Sequence, residues 1–181
     1  MQQKKKKPES RWKTEVKDWI VSILIAIVLA FFIRTFIVEP YLVEGTSMNP
    51  TLQSHERLLV NKSVYYFTDP TKDDIVVFKY PRDPSRDFIK RVIAVPGDTI
   101  EIREGVVYLN GQQLKEDYIL EKTKGSFPKV IVPPKHVFVM GDNRNNSEDS
   151  RFKNVGFVPY ELIKGKGMIV FWPFEVFRKL P

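Results

Sequence analysis

Residues Trp19 to Val38 read WIVSILIAIVLAFFIRTFIV. The first fifteen, Trp19–Ile33, carry no charge and a single polar side chain, Ser22. A helix of about 20 such residues spans about 30 Å, the thickness of a bilayer's hydrocarbon core. Arg34 falls near one end of the run, where a long side chain can snorkel to the headgroups. Trp19 at the start and Tyr41 just beyond the end suit the two interfacial aromatic belts. A cleaved secretory signal shares the order of basic residues and then an apolar run. This run is longer than a typical signal's apolar core, and no A-x-A pattern follows it. The expectation is an uncleaved anchor over 19–38, with a basic tail (1–18) before it and a separate domain (39–181) after it.

Charge distribution orients that anchor. The chain has 181 residues and a net charge of +7, of which +4 lies in residues 1–18: seven cations, including Lys4–Lys7, against three anions. Cations before a span keep that end in the cytoplasm, which places 39–181 outside and makes a cell-membrane, single-pass location the expectation. The same distribution argues against nucleic acid as a partner, because the basic excess is a tail beside a membrane segment and not a surface stripe. There are no cysteines, so disulfides, thiol catalysis and thiolate metal sites are excluded. His55 and His136 are too far apart in sequence to signal a zinc site. No cofactor is expected.

Beyond Glu39 the pattern changes to short β-rich runs separated by Gly, Pro, Asn and Asp. Strands are expected at Tyr41–Val43, Arg57–Asn61, Ile75–Tyr80, Asp87–Val95, Thr99–Arg103, Val106–Leu109, Gln112–Leu114, His136–Met140 and Gly167–Trp172. Asn110-Gly111 is a strong two-residue hairpin signal and Glu104-Gly105 a plausible turn before it. The fold class is therefore mostly β, an antiparallel folded sheet or barrel behind one transmembrane helix. Short helices are expected at Asn49–Ser54 and Pro159–Ile163, and Lys115–Lys135 reads as a long surface loop. The apolar run Phe171–Phe177 suits either the membrane interface or the core.

Three segments carry groups that can do chemistry. In Glu44-Gly-Thr-Ser-Met-Asn-Pro-Thr-Leu52, Ser47 sits between Gly45 and Pro50, where a tight turn can expose its hydroxyl beside backbone N–H donors. Taken alone, a serine in such company is more often a turn residue. In the apolar strand Asp87–Val95 two cations interrupt the run. Alternation puts Lys90 on one face with Phe88, Val92 and Ala94, and Arg91 on the other with Ile89 and Ile93. An ammonium among apolar neighbours loses its proton more easily, which makes lysine a usable base in place of histidine. Alone, it reads better as an edge-strand lysine that blunts aggregation. The third segment, Met140–Arg151, is dense in side chains that build local networks, with Asp142, Arg144, Asp149 and Arg151 able to form ion pairs. It lacks the spacing of a calcium loop.

Together and in this order, Glu44–Thr51, Asp74–Phe78, Lys90–Asp98 and Gly141–Arg151 resemble the bacterial type I signal peptidases, in their Gram-positive, single-anchor form. That resemblance implies a membrane-bound serine endopeptidase with Ser47 as nucleophile and Lys90 as general base. It implies that Ser147 orients the lysine, that Asp149 and Arg151 form a supporting ion pair, and that Asp142 and Arg144 belong to the same scaffold. Met48 falls beside the substrate cleft. Where some relatives place a serine hydroxyl in the oxyanion hole, this chain has Gly45, so that donor is missing. The implied substrates are preproteins cut after small residues at −1 and −3, at the surface of a lipid bilayer. The rival reading is an anchored, non-catalytic β domain that binds protein partners.

Overall fold

The computed structural model describes residues 11–181 of the chain; the Lys4–Lys7 run lies outside the described residues. It divides into two units, the first ending at Ile37 and the second running from Val38 to Pro181.

The described part of the first unit is one helix, α1 (Arg11–Phe36). Its stretch Glu15–Phe36 is long and apolar enough to cross a membrane, and none of it is buried. Ser22, the polar group in the apolar run, returns its hydroxyl to the Asp18 carbonyl at 2.8 Å, so it needs no outside partner. The run that reads as one segment in sequence is shared between two elements. The helix stops at Phe36, and Val38 already belongs to the first strand. The cause is local: Pro40 disfavours helical backbone at Glu39, and Val38 finds a ladder partner in Asn61.

The second unit is built from twelve antiparallel strands in two sheets. The larger follows the order β1 (Val38–Leu42), β2 (Arg57–Asn61), β11 (Ile163–Trp172), β3 (Ile75–Tyr80), β4 (Asp83–Ala94), β9 (His136–Met140), β10 (Val158–Pro159). A short β12 (Arg178–Lys179) adds to β11. The smaller runs β7 (Gln112–Gln113), β6 (Val106–Leu109), β5 (Thr99–Arg103), β8 (Phe127–Ile131). β3 is apolar without a break from Ile75 to Phe78 because both of its faces are covered there. Ile75 and Val77 enter one core with Met48, Leu52, Leu58 and Val60. Val76, Phe78 and Tyr80 enter another with Val92, Val137 and Val139. A third core, around Ile93, Ile100, Val107 and Phe138, draws on both sheets.

Both expected hairpin turns form, with positive φ at Glu104 and Gly105 (49° and 81°) and at Asn110 and Gly111 (53° and 81°). Four expectations are corrected. The presumed loop Lys115–Lys135 contains β8, which pairs with β5 from the sheet's edge, where Pro128 and an exposed Lys129 are tolerated. β11 begins four residues earlier than expected and passes through Gly165, where a Cβ would collide with the Asn61 carbonyl; glycine there permits close strand approach and does not break the strand. Asn49–Ser54 is a set of turns and no helix, whereas the short helix expected over Pro159–Ile163 does form, as a 3-10 helix at Tyr160–Leu162. The even alternation of β4 fails at a bulge between Val92 and Ala94, so Ile93 and Ala94 both enter the third core.

Candidate active site

The segment between β1 and β2 carries Ser47. Met48 (2 % exposed) and Leu52 (fully buried) root it in the first core, so apolar burial holds the turn from below. Gly45 supplies the turn with φ +84°, a conformation that side chains resist, and the space above it is open. From the side, the loop after β9 grips the same turn. The Asn143 N–H donates to the Ser47 carbonyl at 3.0 Å and its side-chain amide donates to the Thr46 carbonyl at 3.0 Å. Asn146 donates to the Thr46 hydroxyl at 2.7 Å.

β4 delivers Lys90 to this turn. Its Nζ donates to Ser47 Oγ at 2.8 Å and to the Ile89 carbonyl at 3.1 Å. The residue is only 4 % exposed, and the ammonium stands 5.0 Å from the centre of the Phe88 ring. Burial pushes the Lys90 pKa down to about 8; the carboxylates of Asp149, Glu148 and Asp142 oppose the shift without cancelling it. A serine hydroxyl and a lysine that sheds its proton near neutrality therefore share one short contact.

The next residue, Arg91, is equally buried and serves a different purpose. It makes a two-pronged ion pair with Asp142, Nε to Oδ1 at 2.9 Å and Nη2 to Oδ2 at 2.7 Å. The Thr51 hydroxyl donates to the same carboxylate at 2.5 Å. The strand that holds the base, the turn that holds the nucleophile and the loop after β9 thus meet on one carboxylate. Asp149 forms a second fork with Arg151, at 2.7 and 2.8 Å, and also accepts the Gly141 N–H at 3.0 Å. Arg151 reaches on to the Arg144 carbonyl at 2.6 Å. Such paired, hydrogen-bonded charges hold geometry even where their net contribution to stability is small.

Each residue expected in the site lies at or beside it, with one expected contact missing. Asp142 takes Arg91, and Arg144 (1 % exposed) takes Glu116 at 2.6 Å. Glu116 and Tyr118 come from the segment expected to be a surface loop, and the Tyr118 ring lies 4.0 Å from the Arg91 guanidinium carbon. Ser147 does not hydrogen-bond to Lys90; its hydroxyl is buried without a hydrogen-bond partner. It lies against Gly141, where a Cβ would overlap the Ser147 hydroxyl and come within 2.5 Å of the Ser47 carbonyl. Thr51, Asn143, Asn146, Glu116 and Tyr118 were missed by sequence reasoning. A buried strand arginine demands a carboxylate, which was a signal for Asp142; nothing in the sequence marked Glu116.

The dyad opens into a cleft of about 690 Å³ that β1, the Ser47 turn and the first half of β4 enclose. Tyr41, Val43, Met48 and Ile89 line it and also pack in or against the first core, which makes this side apolar. Arg86, Phe88, Asn146 and Glu148 line the other side. Among the described residues there is no group of three or more His, Asp or Glu placed to hold a metal ion. The arrangement can carry out acyl transfer: a nucleophile, a base in contact with it, backbone donors in the turn, and a groove for an extended chain.

Residues 16–172 match the family described as signal peptidase, peptidase S26. A probable signal peptidase I-1 of Synechocystis sp. is 45 % identical over 165 residues, covering 87 % of this chain and 83 % of that protein. A signal peptidase I P of Bacillus subtilis subsp. natto is 42 % identical over 180 residues, covering 94 % of this chain and 96 % of that one. The crystal structure of a signal peptidase I from Enterococcus faecalis V583 is 33 % identical and covers 55 % of this chain and 97 % of its own, with a TM-score of 0.49.

Proposed function

Because the chain belongs to the signal peptidase family, peptidase S26, and is thereby a serine endopeptidase, we propose that Ser47 is its nucleophile and Lys90 its general base. The observation that carries this reading is the 2.8 Å contact between Lys90 Nζ and Ser47 Oγ, made by a lysine whose burial has lowered its pKa to about 8. Neutral Lys90 takes the hydroxyl proton as Ser47 Oγ bonds to the scissile carbonyl carbon. The oxyanion so formed meets backbone N–H donors of the Gly45–Ser47 turn, to which Gly45 adds no hydroxyl. The intermediate collapses with cleavage of the C–N bond, and Lys90 returns its proton to the leaving amine. Water, deprotonated by the same lysine, then hydrolyses the ester and restores Ser47.

The substrates are preproteins, cut at the end of their signal peptides after small residues at −1 and −3. The apolar side of the cleft supports this, since Tyr41, Val43, Met48 and Ile89 line it and offer apolar surface to small side chains. Met48 is the wall beside the nucleophile. Ser147, Asp149, Arg151, Asp142 and Arg144 keep the turn and strand in register. The helix Glu15–Phe36 anchors the protein in a single pass, with the basic tail in the cytoplasm and residues 39–181 outside. Trp172, Phe174, Val176 and Phe177 are exposed, which favours the interface reading of that run over burial in the core. Such a patch lets the catalytic unit rest on the bilayer where signal peptides reside.

Purified, detergent-solubilised protein is expected to cleave a preprotein with an Ala-x-Ala junction, while Ser47→Ala and Lys90→Met, each shown to be folded, leave it whole. Variants that cut as well as the parent would show the dyad assignment to be wrong. A parent that cuts nothing would favour a non-catalytic binding domain.

A further inference from the structure

Glu148 lines the cleft next to the dyad and has no task in the chemistry above. Its position is fixed: Oε1 accepts the Tyr80 hydroxyl at 3.0 Å and the Asn154 side-chain amide at 3.1 Å. Tyr80 is itself held, 7 % exposed and stacked on Phe88 with ring centres 4.5 Å apart. Neither donor is a cation, and among the described residues no lysine or arginine is ion-paired with it.

Lys90 divides the cleft in two. On one side Tyr41, Val43, Met48 and Ile89 continue the first core. On the other, Phe88 and Tyr80 belong to the second core and carry Glu148 and Arg86 above them, with the Arg86 guanidinium carbon 5.6 Å from the centre of the Phe88 ring. Small apolar residues before the cut suit the first side. Residues after the cut, which leave with the amine, then face the second. Of its two charges Glu148, and not Arg86, is among those that act on Lys90. It acts on Lys90 as the second strongest carboxylate after Asp149. Arg86 stands four residues earlier on β4, and its guanidinium carbon and Lys90 Nζ approach the same Phe88 ring, to 5.6 and 5.0 Å.

We propose that Glu148 reads charge on the mature side of the junction, favouring a basic residue and disfavouring an acidic one at the first two positions after the cut. The inference rests on the proteolytic reading and adds a selectivity to it. A fixed charge at the edge of a partly enclosed cleft attracts one sign and repels the other, and the two effects compound in the ratio between a Lys and an Asp substrate. That ratio in kcat/KM is expected to be about tenfold, and to shrink with salt as surface charges are screened.

The full-length protein in detergent would be given peptides that share one Ala-x-Ala junction and differ only in Lys, Gln or Asp at +1 or at +2. The parent is expected to prefer Lys over Asp by about tenfold at one of these positions. Glu148→Gln, which keeps the acceptor for Tyr80 and Asn154, should bring the ratio within about twofold, and Glu148→Lys should invert it. Should the variants fail to fold, the salt dependence of the parent's ratio decides: a ratio that does not fall on raising salt from about 0.05 to about 0.5 M overturns the inference. An unchanged ratio in Glu148→Gln, or a parent that cuts all peptides alike, overturns it while leaving proteolysis intact. A parent that cuts none of them brings down the proteolytic reading and this inference with it.

Discussion

Replacing Lys90 with methionine is expected to abolish activity and, at neutral pH, to make the catalytic unit more stable. The magnitude follows from burial. An isolated lysine titrates near 10.5, and in this fold the value falls to about 8, with burial as the principal cause. At about 1.4 kcal/mol for each tenfold change in the protonation equilibrium, holding the charged form inside costs the folded state about 3 kcal/mol. Between pH 8 and 10.5 the unfolded chain binds more protons than the folded one, so stability rises with pH through that window. Below pH 8 the whole penalty is present, and above 10.5 it is gone. Methionine matches the unbranched shape of the side chain without the charge. Lys90→Met should therefore be more stable than the parent by about 2–3 kcal/mol at pH 7, with the difference vanishing near pH 10.5. Denaturant unfolding of both proteins at a series of pH values, followed by near-UV circular dichroism, measures it. A variant less stable than the parent at pH 7, or a difference independent of pH, would refute the claim that a buried, weakly opposed ammonium sits at the site.

Other consequences concern the scaffold. Gly141→Ala should lower kcat by at least about a hundredfold with little change in KM, because the new methyl meets the Ser147 hydroxyl and the Ser47 carbonyl and displaces the nucleophile; steady-state kinetics on a peptide substrate check this. Glu116→Gln leaves the Arg144 charge buried without its partner and should destabilise the unit by about 3–5 kcal/mol, read as a drop in the unfolding midpoint. Phe174→Ser with Phe177→Ser should reduce the rate on substrate embedded in vesicles and spare the rate on a soluble peptide, since both rings are exposed away from the dyad's lining.

Strands that alternate cleanly or run apolar on both faces, such as β3 and β5, were legible because period and burial agree in them. The dyad was legible only through the order of three segments: neither Ser47 beside Gly45 nor Lys90 in an apolar strand stands out alone. Residues whose role depends on distant partners were not legible. Glu116 faces Arg144 across 28 positions, and no local pattern encodes that meeting. β8 was hidden by its proline and lysine, which an edge strand tolerates and a central one does not. The Val92–Ala94 bulge shows the limit of period-2 reasoning, since one extra residue turns Ala94 to a face that alternation assigns elsewhere. Ser147 makes no hydrogen bond to Lys90, so the orienting role that the resemblance implies for it has no counterpart in the structure.

The most direct test of the dyad is the pH dependence of kcat/KM on a short Ala-x-Ala peptide, which reports the essential base of the free enzyme. Deprotonation of Lys90 predicts activity that rises tenfold per pH unit from acid and levels off near pH 8. A limb near 6.5, where an ordinary imidazole titrates, or activity that stays flat well below pH 7, would contradict a lysine base.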